Sequence, residues 1–309
     1  MWNAHMDTVG SNGMEDPFSA KIIDGKLYGR GSQDMKGSLA AMIAAAHALE
    51  TAGIQLEGDL ILAAVSDEEY SSIGTADLLK HYRADAAIVP EPTNMELCLA
   101  HRGVILYEVE TFGKAAHGSR YLDGVDAIAH MGRFLNELDQ LGQNLITRPP
   151  HPLVGAPSLH ASIIEGGSGT NTYPAYCRLI VERRTSPGEQ EDQVTAEFQA
   201  IIDRLAAQDS LFKAKLRPYQ ARLPYEINPN AEIVQMMKRI IQDHTGRSAV
   251  IAGASYWTDA ALMAEAGIPS VVIGPTGEGL HSAEEWVDLR SCLDLANLLI
   301  RSAIEFCTV

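Results

Sequence analysis

Apolar runs of strand length recur along this chain, and an acid or a histidine follows each of them closely. Leu60–Val65 leads into Asp67, Glu68 and Glu69, and Ala86–Val89 leads into Glu91. Ser270–Gly274 leads through a glycine-rich loop to His281. His5 and Asp7 follow what reads as the stub of a strand, and Asp34 lies in the glycine-bracketed segment G-R-G-S-Q-D-M-K-G. In open α/β sheets, ligands gather outside the carboxyl ends of the strands. These groups are remote in sequence but are expected to converge at one rim. The pattern restricts the chain to α/β architectures with a largely parallel sheet.

The rest of the chain fits that architecture with an interruption. Gly37 to Ala52 reads as a helix with Leu39, Met42, Ile43, Ala46 and Leu49 on one face, stopped by Gly53. The unbroken apolar run Leu60–Val65 reads as a buried strand. A helix at Thr75–Tyr82 and a strand at Ala86–Val89 complete residues 1–100. Residues 101–222 change character. Strands are expected at Val104–Thr111, Leu159–Glu165, Cys177–Arg183 and Phe212–Arg217, and helices at Gly124–Leu141 and Glu191–Ala207. They describe a separate α+β unit around one small sheet. Leu223 to Asn230 reads as a return linker. Over residues 223–309 the α/β pattern resumes, ending in a helix from about Asp288 to Phe306. The expectation is a discontinuous first domain, 1–100 plus 223–309, with a unit inserted at 101–222.

Composition narrows the partners. A formal net charge of −16 disfavours nucleic acid and anionic membrane surfaces, both of which call for a basic face. No apolar run reaches the roughly 20 residues that span a bilayer, and no signal peptide is visible at the N-terminus. Cys98, Cys177, Cys292 and Cys307 are far apart and form no zinc pattern. Free thiols in a reducing cytoplasm are the expectation. A small-molecule substrate is the partner that remains.

The acids and histidines are the donor types of a hydrolytic zinc centre, and no cysteine lies among them. Two divalent cations about 3.5–4 Å apart need a bridging carboxylate, terminal ligands and a bridging water. Asp34, in a loop before a helix, is suited to bridge. His5 and Glu91 could complete one ion's shell, and Glu69 and His281 the other's. Glu68, next to a ligand, is then the natural general base and later the acid for a leaving amine. Asp7, two residues from His5, would hold the other nitrogen of that imidazole. The set points to two zinc ions per chain, with cobalt able to substitute, and to hydrolysis of an amide.

The motifs H-M-D-T-V, G-R-G-S-Q-D-M-K-G, S-D-E-E, V-P-E-P-T and G-L-H-S-A-E-E-W-V, in this order, resemble the co-catalytic dinuclear zinc peptidases and deacylases. That family includes acetylornithine deacetylase, succinyl-diaminopimelate desuccinylase and carboxypeptidase G. The resemblance implies a catalytic α/β domain with an inserted lid that also dimerises. It implies His5, Asp34, Glu69, Glu91 and His281 as ligands, Glu68 as acid/base and Asp7 as the orienter of His5. F-G-K-A-A-H-G-S resembles the lid segment whose histidine, here His117, reaches a neighbouring active site. G-G-S-G-T-N-T-Y-P resembles the lid loop whose asparagine, here Asn171, contacts substrate. Arg184 matches the position that binds a substrate carboxylate, as a guanidinium can do bidentately.

The implied reaction is hydrolysis of an N-acyl amino acid, deacetylase-like or desuccinylase-like. A di- or carboxypeptidase is the alternative within the family, and a silent dimeric binding protein is the alternative outside catalysis. Plainer roles stay open for three residues. His117 could be an ordinary surface histidine, Asn171 a turn residue, and Arg184 a partner of Glu182. Asp259 is expected to be a helix N-terminal acid. His47, His81, His130 and His244 are expected to be exposed. Members of the family carry further strands and a helix before H-x-D, whereas only Met1 to Ala4 precede His5. An exposed apolar face or strand edge, and a loosely fixed His5, are expected there.

Overall fold

The computed structural model describes residues 1–307, and they form two compact units. Among the described residues the first comprises 1–101, 225–254 and 258–307; the second comprises Arg102–Pro224 and Ser255–Trp257. In chain order the first unit opens with β1 (Trp2–His5), the hairpin β2 (Lys21–Ile23) and β3 (Lys26–Tyr28), and a turn of π-helix at Ser32–Lys36. Then come α1 (Gly37–Thr51), β4 (Leu62–Val65), α2 (Ile73–His81), β5 (Ala87–Val89) and β6 (Leu97–His101). The second unit holds β7 (Gly103–Phe112), α3 (Ala127–Thr147), β8 (Ser158–Gly166), β9 (Tyr176–Thr185), α4 (Glu191–Gln208) and β10 (Lys213–Arg222). The first unit resumes with β11 (Tyr225–Glu226), α5 (Glu232–Thr245), β12 (Ile251–Ala254), α6 (Ala260–Glu265) and β13 (Ser270–Val272). It ends with β14 (Gly277–Glu278), β15 (Trp286–Asp288) and α7 (Leu289–Phe306).

The main sheet is mixed and largely parallel, in the order β11-β6-β13-β5-β1-β4, with β12 also on β6. β1 pairs in parallel with β4 and β5, β13 with β5, and β12 with β6. β11 and β13 run antiparallel to β6. The N-terminal stub is therefore an interior strand, buried at every position from Trp2 to His5. The edge falls instead on β4, where Leu62 and Ala64 are exposed and Ala63 and Val65 are buried. The sequence suggested a strand covered on both faces; the parallel partner lies on one side only. Helix α7 packs on both α1 and α5, and α2 packs on α6. The β14-β15-β3-β2 sheet is a separate small antiparallel layer.

Helix α1 buries Ser38, Ala41, Met42, Ala45 and Leu49, while Ile43 is exposed. Its apolar residues run almost all the way round, so periodicity does not fix the buried face. The small side chains Ala41 and Ala45 do, because they allow close approach. The return linker contains β11, whose Tyr225 is buried and donates its hydroxyl to the carbonyl of Ser270. His130 is buried against Phe212 rather than exposed.

In the second unit, β7 alternates buried and half-buried residues along its whole length. This is the period-2 signature of a sheet covered on one face. The order is β10-β7-β9-β8, all antiparallel. Ile105, Tyr107 and Val109 of β7 and Leu179 and Val181 of β9 pack on Met131 and Phe134 of α3 and Phe198 and Ile202 of α4. The other face is polar, with Glu108 accepting from Arg178 at 2.5 Å and Arg217 at 2.7 Å. The last strand, β8, is an open edge that stays exposed from His160 to Gly166.

Candidate metal centre

Three parallel-strand ends and two loops of the first unit bring the predicted donors together. His5 is the last residue of β1, Glu91 follows β5, and Glu68 and Glu69 follow β4 through Asp67. Asp67 has a left-handed backbone, φ 68°, which turns the chain sharply after the strand. Asp34 lies in the Ser32–Lys36 turn before α1 with an extended backbone (φ −116°, ψ 92°), and His281, also left-handed at φ 58°, sits in the turn before β15.

Two trios of donor atoms result, each within 4.8 Å: His5, Asp34 and Glu91, and Asp34, Glu69 and His281. Asp34 belongs to both, and its two oxygens are divided between them. Oδ1 lies 3.0 Å from His5 Nε2, and Oδ2 lies 3.3 Å from His281 Nε2. Glu91 Oε1 is 3.8 Å from His5 Nε2, and Glu69 Oε2 is 3.1 Å from His281 Nε2. Oxygen and imidazole donors in this grouping suit a borderline divalent cation such as zinc.

The tautomer of His5 follows from its other nitrogen. Nδ1 donates to the backbone carbonyl of Asp7 at 3.0 Å, which leaves Nε2 directed at the acids. The carboxylate of Asp7 is farther away, 3.7 Å from Nδ1. It accepts instead from the amides of Glu68 at 3.3 Å and Glu69 at 3.2 Å. Asp7 thus faces His5 with both its carbonyl and, at longer range, its carboxylate. Its main chain faces the imidazole, and its side chain fixes the turn that carries both glutamates.

Electrostatics in this region are dominated by crowded acids. Burial opposes charge on His5, but Asp34, Glu91 and Glu68 outweigh it and push the imidazole up to about 11. Hydrogen bonds to Asp34 and Glu69 push His281 up to about 10. Burial would raise Asp34, yet its two histidine partners hold it down at about 2. Burial, followed by the nearby Asp259, pushes Glu68 up to about 8, and burial raises Glu91 too. Asp259 precedes α6 as expected, but it is buried and accepts from Thr75 Oγ1 at 2.5 Å.

The sequence reading assigned no role to two residues that bind these loops to each other. Arg30 and Glu285 form a buried ion pair, Nη1 to Oε2 at 2.6 Å. Both stand inside the quoted motifs G-R-G and S-A-E-E. A charged residue between glycines and an acid just before a strand were the available signals.

The remaining predicted residues belong to the second unit. His117 and Asn171 share one loop cluster: Gly118 N–H donates to the Asn171 carbonyl at 2.7 Å, and His117 bridges to Thr172. Both side chains are exposed. Arg184 lies at the other end of β9, paired with Val104, and its Nε donates to Glu182 at 2.6 Å. Arg183, the neighbour of Arg184, is buried and paired with Glu189.

Fold and site together define a hydrolase whose centre is built for divalent cations. Comparison with known proteins agrees. The model described as Peptidase family M20/M25/M40 matches residues 1–305, and the chain belongs to that family. It is a metal-dependent hydrolase of the family's amide-cleaving type. An acetylornithine deacetylase from Myxococcus xanthus is 31% identical over 294 residues, 92% of this chain and 73% of the relative. An N-formyl-4-amino-5-aminomethyl-2-methylpyrimidine deformylase from Bacillus subtilis is 27% identical, covering 99% of this chain and 79% of the relative. Among solved structures, a tripeptidase from Staphylococcus aureus has a TM-score of 0.77 at 22% identity, covering 99% of this chain and 80% of that one. A dinuclear metal-binding M20 peptidase from Bacillus subtilis has a TM-score of 0.76 at 16% identity, covering 99% and 80%.

The shifted groups give a pH dependence with a definite sign. Imidazoles raised to about 10–11 contribute stability that is complete below their ordinary 6.5 and is lost as pH rises through the raised values. Glu68, raised from 4.5 to about 8, acts in the same direction over its own interval. The thermal midpoint of chelator-treated protein is expected to fall from about pH 5 to about pH 9, and less so with a divalent metal added. A midpoint that rises over that range in the chelated protein contradicts these shifts.

Proposed function

We propose that this enzyme hydrolyses the amide bond of an N-acyl amino acid, of the acetylornithine or succinyl-diaminopimelate kind, with Glu68 as general acid/base. The observation that carries the reading is the division of Asp34 between two donor trios. One carboxylate offered to two cation positions is the arrangement a paired-ion hydrolase requires. In this reading His5, Asp34 and Glu91 hold one ion and Asp34, Glu69 and His281 the other, and zinc is the ion. When bound, the ions would polarise the scissile carbonyl and make water acidic enough to attack it. Glu68 accepts the proton from that water and passes it to the departing amine nitrogen. Asp7 keeps Glu68 in place through the two amides that its carboxylate accepts. The deacylase and deformylase relatives favour small N-acyl substrates over longer peptides. Four free thiols fit a cytoplasmic enzyme.

The same reading makes the second unit, 101–222 in the sequence division, a lid that works in a homodimer. His117 and Asn171 would contact the substrate and Arg184 would grip its carboxylate. Within one chain these groups are far apart. Arg184 lies eight positions along β9 from Tyr176, roughly 25 Å at strand rise, while the His117 loop lies beyond the Tyr176 end. The open edge of β8 supplies a remedy. If two copies of β8 pair antiparallel about Ser162, Gly166 of one faces Ser158 of the other. Ser158 is the register partner of Arg184. The His117 and Asn171 loops of one copy are then carried beside Arg184 of its partner. Ile163 and Ile164, 51% and 53% exposed on that edge, would be covered in the process.

Glu68→Gln is expected to retain both metals and lose about 10²–10⁴-fold in kcat on N-acetyl amino acids. Metal analysis of the purified variant, together with its kinetics, decides this. Near-normal turnover in the metal-replete variant removes Glu68 from the role. Mixing inactive Glu68→Gln with inactive His117→Ala is expected to restore part of the activity, because a mixed dimer contains one complete site. An active protein that is strictly monomeric by light scattering would falsify the contribution in trans.

A further inference from the structure

Arg30 and Glu285 have almost no access to solvent, with the side chains 2% and 0% exposed. Every acceptor position of the carboxylate that matters is in use. Oε2 accepts from Arg30 Nη1 at 2.6 Å and from Gly31 N–H at 3.0 Å. Oε1 accepts from Gln33 N–H at 2.9 Å and from Asp34 N–H at 3.1 Å. The guanidinium reaches outward to two other segments. Its Nε donates to the carbonyl of Gly10 at 3.0 Å, and its Nη2 donates to Ser11 at 3.3 Å and to Ser282 at 2.5 Å. Gly29 N–H also donates to the Glu285 main-chain carbonyl, at 3.1 Å.

Three loops thus meet on one buried ion pair. The first follows β1 and the His5–Asp7 segment, the second carries Asp34, and the third carries His281. A buried pair is a poor way to gain stability, because desolvating both charges cancels most of their attraction, and apolar replacements are often as stable. What this pair supplies is position. Glu285 grips the backbone amide of Asp34 itself and lies four residues after His281 in the same loop. Its oxygens are occupied by donors, so it does not act as a ligand. Gly31, with φ 77°, allows its amide to turn toward the carboxylate.

Resting on the two-ion reading above, we propose that Glu285, with Arg30 as its counter-ion, is a positioning residue: it clamps the Asp34 loop to the His281 loop and thereby sets the spacing of the two cation positions. Because Asp34 is offered to both positions, loosening the clamp weakens both ions together. Loss of a terminal donor such as His281 weakens mainly one.

The test uses the full chain. Binding of zinc or cobalt is measured by competition with a chromophoric chelator, and folding by thermal melts. The proteins compared are the wild type, Glu285→Gln and the double variant Arg30→Met/Glu285→Leu. Glu285→Gln is expected to melt lower and to bind both ions about 10–100-fold more weakly, the usual cost of losing an outer partner of a ligand. The double variant leaves no orphaned charge, although the amides of Gly31, Gln33 and Asp34 lose their acceptor. Its melting temperature is expected to equal or exceed that of Glu285→Gln, in which Arg30 stays buried without its counter-ion, while its metal binding is no tighter. That separation is the signature of positioning, since a purely structural pair would move melting temperature and metal binding together. The inference is overturned if a folded Glu285→Gln binds metal like the wild type, or if the double variant regains wild-type affinity. It is overturned too if neither variant folds, because the pair then holds the whole unit rather than the loops. A wild-type chain that binds fewer than two ions overturns the two-ion reading instead, whatever the variants do.

Discussion

The structure of the first unit turns on one electrostatic constraint. Asp34, Glu68, Glu69 and Glu91 crowd around two imidazoles near the ends of β1, β4 and β5, with Asp259 close enough to act on Glu68 and Glu91. So many acids in a partly buried space repel one another and resist ionisation. Two protonated histidines offset part of this, which is why their pKa values rise so far. Divalent cations would offset it more completely, and the donors fall into two trios that share Asp34. The left-handed backbone at Asp67 and His281 belongs to the same picture: non-glycine residues held there cost free energy that the surroundings must over-determine.

How far the sequence foretold this depends on the kind of interaction. The donors themselves were legible, because a carboxylate or imidazole after an apolar run is a local pattern. So were most helices and long strands, whose periodicity spans many residues. The buried face of α1 was not, since an alanine-rich helix has apolar side chains on every side. Nor was the edge position of β4, which depends on which strands exist beside it and not on Leu60–Val65. The short strands β2, β3, β6 and β15 escaped because three to five residues are too few to show a period. The second role of the Asp7 carboxylate was hidden for a geometric reason. Spacing of two residues put it near His5, but the turn after β4 directs the amides of Glu68 and Glu69 at it. Arg30 and Glu285 lie 255 residues apart, and only the fold shows that they touch.

The second unit follows different physics. Its antiparallel sheet needs only one face covered, so its strands alternate and its other face carries ion pairs such as Arg178–Glu108. Such a sheet must dispose of its edges. β8 leaves its edge bare along nearly its whole length, and the loops that carry His117 and Asn171 lie at one end of the sheet with Arg184 at the other.

The central claim is that Asp34 serves two cations at the same time. Anomalous diffraction from crystals grown with zinc, recorded on both sides of the zinc absorption edge, tests it most directly. The account predicts two peaks about 3.5–4 Å apart. One should lie among His5, Asp34 and Glu91, the other among Asp34, Glu69 and His281. A single peak, or a pair that leaves either oxygen of Asp34 without a metal partner, would contradict it.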